Sequence, residues 1–160
     1  MTLSLIRLAN SIFAALIAGG MFVIWLSYDP ASLSPATYVE QQQNAIRALN
    51  VVMPVLGAIA IALTLVSAFL QRKDRTVFVL LVVASVFLII SGLVTLFGNQ
   101  PINALVMTWD VARPPANWTE LREQWWGFHR LRTLCGLIAL ALITWASIHP
   151  GRTTSTRSAR

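Results

Sequence analysis

At 160 residues, 56% apolar and 11% charged, the chain falls far short of the roughly 25% charged content of soluble domains. A soluble fold of this length has too little interior to hide so much apolar surface, so the surplus must face lipid. The net charge of +6 collects at the ends of apolar runs and not in a basic helix or an aromatic–basic module, which argues against nucleic-acid binding.

Four apolar runs, at about 5–26, 51–70, 77–97 and 131–148, each approach the roughly 20 residues that cross a bilayer. The stretch after Arg7, from Leu8 to Leu26, outlasts a signal-peptide core, so a retained helix is predicted. Asn10 inside it is assigned to hydrogen bonding between helices. After the loop that begins at Tyr28, Ser34 and Pro35 mark a helix start, and no breaker intervenes before Pro54. One helix is therefore predicted from there to about Leu70, kinked near Pro54. Only "QRKDRT" separates the second and third runs, which makes them a tight antiparallel hairpin.

Beyond the third run, "NQPINALVMTWDV" reads as a short amphipathic helix after Asn99, lying along the membrane interface. Asn117 with Glu120 three residues on has the form of a capping box. Asn117, Trp118 and Thr119 also match the short glycosylation triplet, and the helix cap explains Asn117 equally well. The helix from Trp118 to Ile148 would be about 46 Å long at about 1.5 Å per residue. A hydrocarbon core of about 30 Å cannot hold all of it, so its first turns stand above the membrane. Cys135 lies in the last run and is assigned to packing.

Arg72, Lys73 and Arg75 in the hairpin, Arg7, and Arg152, Arg157 and Arg160 in the tail all fall on one side of a four-span protein. That asymmetry places both termini in the cytoplasm, in a membrane of the bacterial inner type. The expected fold is all-α: an integral membrane four-helix bundle over residues 1–150, followed by a disordered basic tail at 151–160. Helices 2 and 4 extend beyond the membrane, with the short interfacial helix between spans 3 and 4.

Residues 99–132 concentrate Trp109, Trp118, Trp125 and Trp126 with Arg113, Arg122, Arg130 and Arg132. Trp118, Arg122, Trp125, His129 and Arg132 step by four, three, four and three, which places them within an arc of about 80° on one helix face. Gly136 continues the stripe. Glu40, Gln43, Asn44, Arg47, Asn50 and Pro54 repeat similarly on the second helix, so both stripes are expected to line a common cavity. Asn99 and Asn103 would stand at its rim or floor. Interfacial anchoring is the competing account for the aromatics, and Trp109, Trp118 and Trp126 taken singly fit it better. Arg132 lies a turn deeper, where a charge facing lipid is costly, and this favours an inward polar pocket.

His129 and His149 are separated by about 30 Å along one helix and cannot share a metal ion or a haem iron, although a single axial His129 remains open. No Cys-x-x-Cys pair, phosphate loop or Gly-x-Ser-x-Gly elbow occurs.

Asn99-x-Pro101-Ile102-Asn103, followed by Trp109, Trp118, Arg122, Trp125, His129 and Arg132, resembles the anthrone oxygenase-like family of small four-span membrane proteins. The resemblance implies oxidation of a flat, lipophilic anthrone- or quinone-like substrate without an evident organic cofactor. Its implied roles are a base, assigned to His129, and donors to an enolate oxygen, assigned to Arg122, Arg132, Asn99 and Asn103. Trp118 and Trp125 would stack on the rings, with Glu40, Asn44, Arg47 and Asn50 completing the substrate-binding set. Two other readings stand beside it: a non-catalytic membrane subunit whose outer face docks a partner, and a small-molecule binder or transporter. Small residues in "AALIAGG" and "GLIALAL" would also allow a homo-oligomer.

Overall fold

The computed structural model describes residues 2–149, so the expected basic tail lies outside them. α1 (Thr2–Ser27) ends in a 3-10 turn (Pro30–Ser32) capped by Asp29, whose side chain accepts from the Ala31 amide. α2 (Pro35–Leu49) starts at Ser34, whose hydroxyl accepts from the Thr37 amide as the sequence predicts. α3 (Val52–Leu70) and α4 (Arg75–Val94) form the tight hairpin. Asp74 caps α4 by accepting from the Thr76 and Val77 amides. A π turn (Thr95–Asn99) leads into α5 (Gln100–Val106), and α6 (Trp118–Ile148) closes the fold. Among the described residues there is no strand, only an isolated bridge between Asp110 and Arg113.

Three local expectations need correction. The predicted kinked helix from Ser34 to Leu70 is instead two helices, broken at Asn50–Val51. Pro54 lacks an N–H and its ring crowds the carbonyl four residues back, so the ladder stops at Asn50 and restarts with Pro54 in the new first turn. The short helix after Asn99 exists as α5, but it follows span 3 through the π turn without a break and does not stand apart from that helix. Pro101 removes the bond to the Phe97 carbonyl, and the ladder widens just before it. Asn117 precedes α6 without any side-chain capping bond. The Pro115 carbonyl accepts from the Trp118 amide at 3.0 Å instead.

Four helical segments are long and apolar enough to cross a membrane: Thr2–Ser32, Val52–Leu70, Arg75–Val106 and Trp118–Ile148. Around the bundle α1, α3, α4 and α6 form a closed ring, each packing on the next and α6 on α1. Their outward faces carry exposed Leu5, Leu16, Val66, Phe69, Val86 and Ile138, as a lipid-facing surface requires. Lipid is as apolar as leucine, so close packing and hydrogen bonds must hold such helices together. Ala14, Ala18, Ala60, Ala84 and Ala139 are buried at the contacts. Gly136 brings α6 against α1, where an added Cβ would meet Met21 Cε at 2.7 Å. Thr64 donates to Asn10 Oδ1 at 2.8 Å, joining α3 to α1 as expected of Asn10. Arg7 donates to the Ala146 and Ser147 carbonyls, tying the start of α1 to the end of α6. The opposite end of the bundle carries α2, α5 and the loop before α6, and there the second apolar cluster forms from Ile46, Ile102, Val106 and Trp125.

Candidate functional site

The α6 stripe keeps one face, but its members fall at three depths. His129 is fully buried, with Nε2 3.1 Å from the Met21 carbonyl of α1. On its other side Arg132 approaches Nδ1, with Nη2 at 3.0 Å and Nε at 3.3 Å. A guanidinium can only donate, so Nδ1 must be the unprotonated nitrogen and Nε2–H donates to Met21. Trp125 and Trp126 stack on the imidazole at 5.2 and 5.4 Å, nearly parallel. Arg132 also donates to Thr95 Oγ1 at 3.3 Å, across to the π turn. π turns recur at functional sites because they re-aim side chains out of the helical ladder. Among the described residues no carboxylate lies within 4.0 Å of Arg132; the salt bridge found there is Arg122–Glu123 at 2.7 Å.

Arg132 stands where two cavities meet. The upper one, about 260 Å³, lies at the end of the bundle away from the termini. Tyr28, Gln42, Asn50, Asn103 and Trp125 line it, with Met53 and Pro54 below. The lower one, about 320 Å³, lies between α1, α3 and α4 and is walled by Ile17, Met21, Ile61 and Leu88. Met53, Pro54, Thr95, Gln100 and Arg132 line both. A half-buried cation without a carboxylate, at the waist of a mostly apolar cleft, favours any ligand that brings negative oxygen.

The upper wall is built by a chain of hydrogen bonds. Trp125 Nε1 donates to Asn103 Oδ1 at 2.8 Å, and Asn103 Nδ2 donates to Asn50 Oδ1 at 3.0 Å. The break at Asn50–Val51 is therefore tied to α5 and α6. Gln43 donates to the Val106 and Trp109 carbonyls, both at 3.0 Å, which holds α2 on the end of α5. Asn99 donates to the Trp125 carbonyl at 3.0 Å and is fully buried. It clips the π turn to α6 and does not line either cavity. Gly98 permits the same approach, because an added Cβ would sit 2.7 Å from Phe128 Cγ.

Of the expected site residues, Arg132, Trp125, Asn103 and Asn50 come together on the upper cavity, with His129 directly behind Arg132. Arg122 and Trp118 lie above it: the guanidinium covers the Trp118 ring at 4.9 Å and donates to the Pro30 carbonyl at 3.3 Å. Glu40, Asn44 and Arg47 are exposed, and Arg47 donates to Asn44 at 2.7 Å. They line neither cavity. α2 instead turns Tyr38, Val39, Gln42, Gln43 and Ile46 inward. Trp126, read as an anchor, packs on His129.

Tyr28, Gln42 and Thr95 are cavity residues that sequence reasoning missed. Tyr28 donates to Gln42 Oε1 at 3.3 Å across the top. The signal for Gln42 was its spacing from Tyr38, Val39 and Ile46, the apolar face of an ordinary amphipathic helix. Burial pushes the Tyr38 phenol above its ordinary range, and Tyr28 adds to the shift, so it stays neutral.

Among the described residues no three His, Cys, Asp or Glu side chains gather as a metal site would need. Both His129 nitrogens are engaged, so axial ligation would first require displacing a partner. No curated protein and no solved structure matches the chain. Residues 43–142, more than half of the sequence, match the anthrone oxygenase family. That stretch contains the end of α2 from Gln43 on, the π turn, α5 and the His129–Arg132 pair, and the chain belongs to the anthrone oxygenase family.

Proposed function

We propose that the protein is a membrane-embedded oxygenase acting on a flat lipophilic ketone with an acidic benzylic C–H, an anthrone in the simplest case. The observation that carries this reading is Arg132, a cation without a carboxylate partner between two cavities, held by neutral His129 and Thr95. Ground-state O₂ reacts poorly with closed-shell carbon, so the substrate must first become electron-rich. Loss of the benzylic proton gives an aromatic enolate, whose oxygen takes its place on the Arg132 guanidinium. A preorganised cation in a water-poor site stabilises such an oxyanion far more than water does.

The proton goes to His129. The guanidinium first turns from Nδ1 onto the substrate's carbonyl oxygen, which frees the Nδ1 lone pair beside the cavity to take that proton. Among the described residues no carboxylate and no imidazole lines either cavity, and His129 is the imidazole in contact with the lining residue Arg132. The enolate then transfers an electron to O₂, the radical pair joins through a new C–O bond as a peroxide anion, and His129 returns its proton to give the hydroperoxide. Loss of the remaining benzylic proton breaks the O–O bond, leaving a second ketone and one water. Anthrone plus O₂ thus becomes anthraquinone plus water, with all atoms accounted for. Trp125 and Tyr28 flank the ring system, and Asn103 holds the Trp125 indole in place.

The basic hairpin and the Arg7 end favour the cytoplasm, which sets the upper cavity toward the outer face. A lipophilic substrate then arrives from the bilayer and not from water.

Oxygen uptake and anthraquinone absorbance, followed with purified protein in mild detergent and anthrone, test the proposal. Wild type should exceed protein-free micelles, and Arg132→Met should lose on the order of 10²-fold in rate. Equal rates for the two proteins would overturn it.

A further inference from the structure

Neither cavity alone is comfortable for a drug-sized ligand: at about 260 and 320 Å³, they sit at or below the bottom of the roughly 300–1,000 Å³ range. They share Met53, Pro54, Thr95, Gln100 and Arg132 as a common wall, however, and their remaining walls differ. The upper cavity has amides, a phenol and an indole on its walls. The lower one has no aromatic wall, is aliphatic away from Ser91, Thr95, Gln100 and Arg132, and lies within the spanning helices. Its rim includes Ala58, Gly92 and Leu96, all exposed, beside half-buried Gly57. The gap between α3 and α4 is therefore edged by the small residues Gly57, Ala58 and Gly92, with Leu96 at one end.

We propose that the lower cavity seats an apolar chain attached to the same ligand whose acidic oxygen sits on Arg132, and that this chain enters from the bilayer between α3 and α4. The substrate class is then an amphiphile: a polycyclic phenol or enol head carrying an aliphatic substituent, not a bare ring system. The inference rests on the functional reading above, since it takes the head to be the enolisable group.

A chain leaving lipid for an aliphatic cavity gains little free energy, because both surroundings are equally apolar. A chain tethered to a head on Arg132 nevertheless has to pass through the gap, so filling the gap displaces the head with it. Occupancy is therefore tested by blocking the cavity and not by seeking tighter binding. Gly92 suits this, since an added Cβ meets only Ile61 Cδ1, at 4.0 Å; at Gly57 it meets nothing within 4 Å. Gly92→Leu and Gly57→Leu should both fold and fill the entrance.

The experiment measures tryptophan quenching in nanodiscs with two probes, 1,8-dihydroxyanthrone and the same head bearing a decyl chain. Wild type should bind both. Each Leu variant should weaken the decyl probe at least tenfold and leave the parent probe within threefold. Retained parent binding also shows that the variant is folded. The inference is overturned if the variants weaken both probes alike or neither, or if wild type binds the parent and rejects the decyl probe. Failure of wild type to bind either probe would instead overturn the functional reading, and this inference with it.

Discussion

Asn103→Leu is the sharpest probe of how the upper cavity is assembled. The two side chains are close in size, so the change removes polarity and little volume. Two hydrogen bonds are lost, from Trp125 Nε1 and to Asn50 Oδ1. An unpaired buried donor or acceptor costs about 1–3 kcal/mol, whereas interhelical bonds inside membranes average about 0.6 kcal/mol. Trp125 is only 6% exposed, so its stranded N–H dominates, and a loss of about 2 kcal/mol is expected. Reversible unfolding in mixed micelles with rising SDS, followed by tryptophan fluorescence, reads this directly. Combined with Asn50→Leu, the double variant should show a coupling of about 1 kcal/mol. A loss below about 0.5 kcal/mol, with additive variants, would show that the chain of bonds does not hold α2, α5 and α6 together.

Gly98→Ala should cost about 1–3 kcal/mol, because its Cβ meets the root of the Phe128 ring at 2.7 Å. Gly136→Ala should cost under about 1 kcal/mol, since only the mobile tip of Met21 must yield; the same SDS titration compares them. Tyr38→Phe should be neutral or stabilising by up to about 1 kcal/mol, because the buried hydroxyl has no partner among the described residues. A clear loss of stability would reveal a partner for it. His129→Ala should slow anthrone oxidation by roughly 10²–10⁴-fold, and an unchanged rate would remove His129 from the reaction.

The spans were legible because bilayer thickness imposes one length on them, and Trp125, His129 and Arg132 because α6 is a single unbroken helix with a fixed period. The inward face of α2 was not. Its polar stripe is expected inward, as within lipid, and only Gln43 and Asn50 of that stripe face in. Yet α2 is not among the helices apolar enough to span, and the ordinary rule of charge outward applies to it. Glu40, Asn44 and Arg47 therefore face away, and Tyr38, Gln42 and Ile46 face in. Thr95 was hidden for another reason: a π turn shifts the helical phase, and periodicity extrapolated through Pro101 loses register. The cavity at Arg132 depends on the phase of three helices at once, which no single helical wheel contains.

The central claim is that Arg132 holds the ionised oxygen of a bound enol, and the spectrum of bound anthrone under nitrogen tests it without turnover. The enolate absorbs at longer wavelength than the ketone, so a pH titration reads ionisation of the bound ligand directly. In wild type it should ionise at least about one pH unit below the same compound in protein-free micelles, a stabilisation of about 1.4 kcal/mol. In Arg132→Met that displacement should vanish. Ionisation of the wild-type complex at the same pH as the free compound would contradict the claim.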